Sequence, residues 1–267
     1  MNYIVRILEI IFIVAVPLFL VTGSVTWAVN DPGVYNRGFE KYSISLFTGI
    51  TDADLRQAGA DLRRYFNSSE EPLVLRARVF GEEREIFNQR EVAHMRDVKG
   101  LVRGVYLFAG LSALYLLTVI AGGFWWFRRA FLDQLARLLL WGGGLTLALV
   151  IVVGLFALLG FDALFLTFHQ LSFSNDFWQL DPRRDYLITM FPQGFWFDAT
   201  MRVAATAVAG AMALTGISGI YLLYRHWRPP GSPPPPLLEG EGRHLHPNLP
   251  HQERRRDLVL SPSPRES

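Results

Sequence analysis

The chain has 267 residues, 51% of them hydrophobic, no cysteine and a formal net charge of +2. So small a charge leaves no nucleic-acid footprint, and the lack of cysteine removes disulfides, thiolate nucleophiles and cysteine-ligated metals together. The apolar residues come in long blocks, which excludes a single soluble core of this length.

Four runs carry no charge: Ile10–Val29, Gly104–Phe127, Leu138–Phe161 and Val203–Tyr224. Each reaches the roughly 20 apolar residues that a helix needs to cross a ~30 Å hydrocarbon layer. The sequence therefore predicts an α-helical integral membrane protein with four transmembrane helices, at 1–29, 103–127, 138–161 and 203–224. A small α+β extracytoplasmic domain is expected at 30–102 and a second polar segment at 162–202. Arg6 and Glu9 precede the first run, where charges can snorkel to the interface. No small-residue cleavage pattern follows, so the run reads as a retained anchor, with Pro17 as a kink.

Orientation comes from the flanks. The second run ends in Phe124-Trp125-Trp126-Phe127 followed by Arg128 and Arg129, an aromatic belt and a basic stop. Arg137, Arg225 and Arg228 add to the same side, which predicts cytoplasmic termini and both polar segments outside the cell. Four crossings put those two segments on one side of the membrane whichever way the chain is oriented.

Within 30–102, Thr51 to Asp54 reads as a helix start, with Leu55, Ala58, Leu62 and Tyr65 at helical spacing up to Asn67. Leu73, Leu75, Ala77 and Val79 alternate with Val74, Arg76, Arg78 and Phe80, predicting a strand that ends at Gly81 and pairs with a second strand at 84–87. Asn88 to Glu91 is a capping box opening a helix that continues into the second span. His94, Asp97 and Leu101 share one face of it. His94 is then either a surface histidine with a local carboxylate or a base oriented by Asp97, and the spacing leaves both open.

Glycines in the third span (Gly142, Gly143, Gly144) and the fourth (Gly210, Gly216, Gly219) predict close helix packing. Residues 225–267 form a Pro-rich cytoplasmic tail, expected to be disordered and dispensable after Arg228. Its His226, His244, His246 and His251 make no metal site, because nothing rigid would hold them.

The densest chemistry lies at Phe168–Trp196, FHQLSFSNDFWQLDPRRDYLITMFPQGFW. No nucleophile elbow, HExxH pair, phosphate loop or dinucleotide fingerprint occurs in the chain. His94 and His169 are the candidate catalytic residues, with Asp97, Asn175, Asp176, Asp181 and Asp185 as supporting groups. Such a set suits general acid–base catalysis, a metal site for hydrolysis, or Ser172 or Ser174 as a nucleophile with His169 as base. The non-catalytic reading makes Asp181-Pro182 and Phe191-Pro192 turn formers, Trp178 and Trp196 interface anchors, and the protein a membrane sensor or scaffold.

HMRDVK at His94–Lys99 and the Phe168–Trp196 stretch resemble the two signature stretches of the bacterial lipoprotein intramolecular transacylase family, and the order of segments matches over residues 1–225. The resemblance implies transfer of the sn-2 acyl chain of a diacylglyceryl-modified lipoprotein to the amine of its own N-terminal cysteine, at the outer face of the bacterial plasma membrane. It implies no cofactor and no metal, with diacylglyceryl lipoproteins as substrate and membrane lipids as surroundings. The family's essential histidines map onto His94 and His169. On this reading His169 is the base, and His94, oriented by Asp97, assists the oxyanion or the leaving oxygen. Asn175 donates a hydrogen bond, and Trp178, Phe191 and Phe195 line the acyl and headgroup boundary. Gln193 stands where the family usually carries an acid. A membrane lipid or ester hydrolase is the alternative enzyme.

Overall fold

A computed structural model describes residues 3–227. Of the tail expected to be disordered from 225, Arg225, His226 and Trp227 are instead helical, continuing the last apolar run. The expectations for 228–267, including His244, His246 and His251, lie outside the described residues. Eight helices and one hairpin follow in order: α1 Tyr3–Asn30, α2 Pro32–Lys41, α3 Ile44–Thr48, α4 Asp52–Asn67, β1 Arg76–Val79, β2 Glu82–Glu85, α5 Gln89–Phe127, α6 Phe131–Ser172, α7 Tyr186–Met190 and α8 Gln193–Trp227.

Among the described residues three continuous helical stretches are long and apolar enough to cross a membrane: Tyr3–Asn30, Gln89–Ser172 and Gln193–Trp227. The second is 84 residues long because a short 3-10 turn at Arg128–Ala130 joins α5 to α6. The two helices run antiparallel. Phe124 of α5 packs edge-on against Phe131 of α6 beside the turn, while Asn175, just past α6, bonds Asp97 near the start of α5. Leu107, Phe108, Leu111, Leu114 and Leu117 of α5 and Ile151, Val152, Leu155 and Leu159 of α6 are exposed. Contiguous apolar surface of that extent is foreign to a water-soluble monomer, and it marks a membrane protein. Inside, Phe12, Ala15 and Val16 of α1 meet Leu116 and Leu138. Gly142 lies against Val16 and Gly143 against Thr215, whereas Gly144 and Gly216 face open space. α1 is one helix through Pro17.

The 30–102 segment begins with two helices that the residue pattern does not announce. Asp31 caps α2 by accepting from the Gly33 N–H at 2.9 Å, with Pro32 in the first turn, where its missing N–H costs nothing. α4 is capped as expected, the Thr51 hydroxyl accepting from the Asp54 N–H. The alternation at 73–80 is present, with Leu73, Leu75, Ala77 and Val79 buried, but ladder pairing covers only Arg76–Val79. The second strand lies at Glu82–Glu85 rather than 84–87. Phe80 and Gly81 both take positive φ, 50° and 92°, as a two-residue hairpin turn requires, and this fixes Val79 opposite Glu82.

One core unites the two polar segments. Tyr35, Phe39, Leu62, Leu75 and Met95 pack with Leu187, Met190, Phe191 and Phe195 from far along the chain. Residues 30–102 and 173–195 therefore occupy the same end of the long helices. Lys99, 2% exposed, fastens this core. Its ammonium donates to the Glu70 carbonyl at 2.6 Å, pairs with Glu71 at 3.2 Å and sits 3.9 Å above the Tyr65 ring.

Candidate functional site

The capping box at the start of α5 does more than begin a helix. Asn88 accepts from the Arg90 and Glu91 N–H groups, and the Glu91 Oε2 accepts from the Asn88 N–H at 2.8 Å. Glu91 is fully buried, and its other oxygen accepts from the Leu187 N–H at 2.6 Å, so one carboxylate closes the starts of both α5 and α7. Burial pushes this carboxyl above its ordinary range, and the N–H bonds pull it back. Asn88 also donates to Asp185, whose second oxygen accepts from the Asp181 N–H at 2.7 Å. The 173–192 connection is thereby braced against α5, one turn before His94.

α6 delivers the second histidine. Its backbone leaves the helical region at Gly160 (φ −168°, ψ 68°), and the helix resumes to carry His169 in its last turn. The Gln193 amide donates to Asp162 just past that break, joining this segment to the start of α8. An acid at position 193 would instead face a like charge.

His94 and His169 meet with ring centroids 6.1 Å apart and planes 31° from parallel. Both are buried, at 6% and 9% exposure. Phe173 covers them, 5.0 Å from His94 and 5.6 Å from His169, and Trp178 lies 5.3 Å from His169. The His169 Nδ1 is 2.8 Å from the Phe165 carbonyl oxygen. A carbonyl only accepts, so Nδ1 holds the proton of the neutral ring and Nε2 keeps a lone pair. The His94 Nδ1 is buried without a hydrogen-bond partner among the described residues. Both rings lie outside the uncharged runs 104–127 and 138–161. Burial, then the neighbouring His169, push His94 down to about 4, with the Asp97 charge acting the other way. Burial lowers His169 too, opposed by its bond to Phe165. Two neutral imidazoles at neutral pH can accept a proton at one ring and donate an N–H at the other.

The other anticipated residues divide. Asp97 does not orient His94 through a hydrogen bond; it accepts from the Asn175 Nδ2 at 2.8 Å and reaches His94 by charge alone. Asn175 spends its other end on the Phe177 N–H. Asp176 accepts from Gln179, Asp181 from the Arg183 N–H, and Asp185 is the buried brace described above, so these three shape the loop. Phe191 and Phe195, expected at the acyl boundary, are buried in the domain core at 6% and 4% exposure, against Tyr35 and Phe39. No hydrogen bond joins Ser172 or Ser174 to His169. Among the described residues no group of three or more His, Cys, Asp or Glu side chains could hold a metal. A cavity of about 500 Å³ opens beside His169, lined chiefly by Gln170, Ser174, Asn175, Asp176, Trp178 and Gln179. Glu91 and Phe173 were missed; the capping box pointed to Glu91's first bond but could not reveal its second.

The fold and site define a helical membrane protein with two buried histidines, brought together from separate segments at the polar end of the long helices. Residues 10–196 match the family described as lipoprotein intramolecular transacylase Lit, and the chain belongs to that family. An uncharacterized protein of Aquifex aeolicus (strain VF5) is 31% identical over 135 residues, which cover 50% of this chain and 57% of that protein. The in meso structure of the membrane-integral lipoprotein intramolecular transacylase Lit from Bacillus cereus shares the fold, with a TM-score of 0.70 at 20% identity over 83% of this chain and 96% of that one. A variant of it with one histidine replaced by arginine gives 0.66 at 19% identity, over 83% of this chain and 92% of that one.

Proposed function

We propose that the protein moves the sn-2 acyl chain of a diacylglyceryl lipoprotein to the α-amine of the same molecule's N-terminal cysteine, leaving an N-acyl lyso-lipoprotein. The observation that carries this is the pair of neutral imidazoles 6.1 Å apart, one of them with its Nε2 lone pair uncommitted among the described residues. The amine has an ordinary pKa of about 7.7–8.0 and must lose a proton to attack. That proton goes to water; the neutral amine then attacks, and His169 Nε2 takes a second N–H proton as the nitrogen bonds to the ester carbonyl. His94 donates its ring N–H to the developing oxyanion, a role that a ring held neutral can fill. As the C–O bond breaks, the proton on His169 passes to the departing glyceryl oxygen. One C–N bond replaces one C–O bond, the mass is unchanged, and no nucleotide is consumed. Donor and acceptor share a molecule, and well-aligned partners reach effective molarities on the order of 10⁵–10⁸ M, so holding the substrate folded contributes more than either histidine.

On this reading α1, α5, α6 and α8 each cross the membrane once, with the histidines on the extracytoplasmic side. The antiparallel α5 and α6 and the exposed Trp125, Trp126 and Phe127 beside Arg128 support it. Asp97, through Asn175, acts as a positioning residue for the 173–179 loop.

The test is mass spectrometry of a reporter lipoprotein in a host without its own N-acylating enzymes, for wild type, His94→Ala and His169→Ala. A fatty-acyl amide on the cysteine with a lyso-glyceryl group is expected from wild type and lost in both variants. An unmodified diacylglyceryl terminus beside well-expressed wild type refutes the proposal, and release of free fatty acid points to a hydrolase instead.

A further inference from the structure

α6 carries Phe161, Phe165 and His169 at four-residue spacing, so the three rings stand one above another on a single helix face. Centroids are 5.8 Å apart for Phe161 and Phe165 and 4.3 Å for Phe165 and His169. α8 supplies a flank: Phe197 meets Phe161 edge-on at 5.4 Å, and Trp196 lies 6.3 Å from Phe165. The Trp196 indole donates to the Phe191 carbonyl at 3.1 Å, which satisfies its polar atom and fixes the ring. Phe161, Phe165 and Phe197 are half-buried and Trp196 is 39% exposed, so the row is open along one side. Its lower end adjoins the lipid-facing Leu155, Phe156, Leu158 and Leu159, and its upper end is His169. At 1.5 Å per residue the row is about 12 Å long. The cavity beside His169 is lined by Gln170 and polar residues of the 174–179 loop, with Leu166 and Phe173 as apolar walls.

We infer that the Phe161–Phe165 row, flanked by Trp196 and Phe197, is the track that binds the migrating fatty acyl chain and presents its ester carbonyl to His169. The inference rests on the transacylase reading above. A linear hydrocarbon matches the row because it has no polar atom to leave unpaired against the rings, whereas a peptide or a headgroup has several. The row is continuous with the lipid-facing surface, so a chain enters sideways from the bilayer without crossing water. The polar remainder of the same substrate then falls on the cavity side of His169. Because the chain leaves lipid rather than water, the gain comes from dispersion contact and not from the hydrophobic effect. Selectivity for chain length is accordingly modest.

The experiment uses the full chain in proteoliposomes with synthetic diacylglyceryl-cysteinyl lipopeptides of unequal acyl chains, and reads the N-acyl products by mass spectrometry. Phe161→Ala and Phe165→Ala are expected to shift the preferred length of the migrating chain, changing long-to-short product ratios roughly fivefold. Phe165→Leu, a milder change that guards against misfolding, moves the ratio less and in the same direction. Varying the retained chain leaves the ratio unmoved, as does Leu114→Ala on the exposed face of α5. Product ratios equal to wild type in all three track variants overturn the track while leaving the transacylase reading intact. A wild type that forms no N-acyl product removes both.

Discussion

The polar end of the molecule and its long apolar helices cohere by different means. At the polar end, 21 buried hydrophobic side chains form one cluster, drawn from both polar segments and the start of α5. Capped helices and the Lys99–Glu71–Tyr65 knot reinforce it. In the apolar helices the buried cluster is five residues, and Gly142 and Gly143 let α6 lie close against Val16 and Thr215. Water drives the first assembly; lipid tails are as apolar as leucine and give the second no such push. Both histidines sit on α5 and α6 outside the uncharged runs, and His94 is next in sequence to Met95 of the water-driven core. The precision of the site therefore derives from the polar end, and the apolar helices supply depth and access.

The largest expected effect is on the chemistry held by the polar end. His169→Ala removes the proton acceptor and is expected to lower the initial rate of N-acyl product by about 10²–10⁴-fold, read on a lipopeptide substrate. A rate within a fewfold of wild type would assign the base elsewhere. Next in size is a change that pits the two regions directly. Leu62→Ala, at 1% exposure in the polar core, is expected to cost about 2–5 kcal/mol, whereas Leu116→Ala in the helix cluster loses dispersion contact alone and costs less. Thermal unfolding of both variants in one detergent decides it, and equal losses would erase the distinction.

The third effect follows from the burial of His94. Its pKa is about 4 folded and about 6.5 unfolded, so between those values the unfolded chain binds the extra proton and stability rises with pH. The contribution is complete above about pH 6.5 and is lost as pH falls toward 4, to a total on the order of 3 kcal/mol. His94→Gln removes that titration. The pH dependence of its unfolding midpoint should be shallower than that of wild type across this window, and parallel curves would mean that His94 is not buried neutral.

How much of this was legible in the residues depends on how local each cause is. The caps at Thr51 and Asn88 and the alternation at 73–79 are written in consecutive residues, and each appears where the pattern puts it. The strand boundaries shifted because the Phe80-Gly81 turn sets the register, and a bulky residue at positive φ gives no warning of itself. Partnerships across long separations were hidden. Asp97 looked like the orienting group for His94, yet its hydrogen bond goes to Asn175, and Glu91 reaches Leu187 as well as its own cap. The family resemblance places Phe191 and Phe195 at the acyl and headgroup boundary, and the structure buries them instead. Only the domain core explains why they point inward.

The three consecutive glycines of α6 give the finest test, since the sequence treats them alike and the packing does not. A methyl at Gly142 would stand 2.7 Å from the Val16 Cβ, a branched side chain on another helix with little room to yield. Gly142→Ala is expected to cost about 1–3 kcal/mol by forcing α1 and α6 apart. Gly144 has nothing within 4 Å of the same position, so Gly144→Ala meets only the preference of a helix for alanine over glycine, up to about 1 kcal/mol in favour of folding. Opposite signs in two neighbouring variants, read as unfolding midpoints in one detergent, are the signature of close approach between helices. Matching signs would mean that the apolar helices are held by something other than the contact of α1 with Gly142.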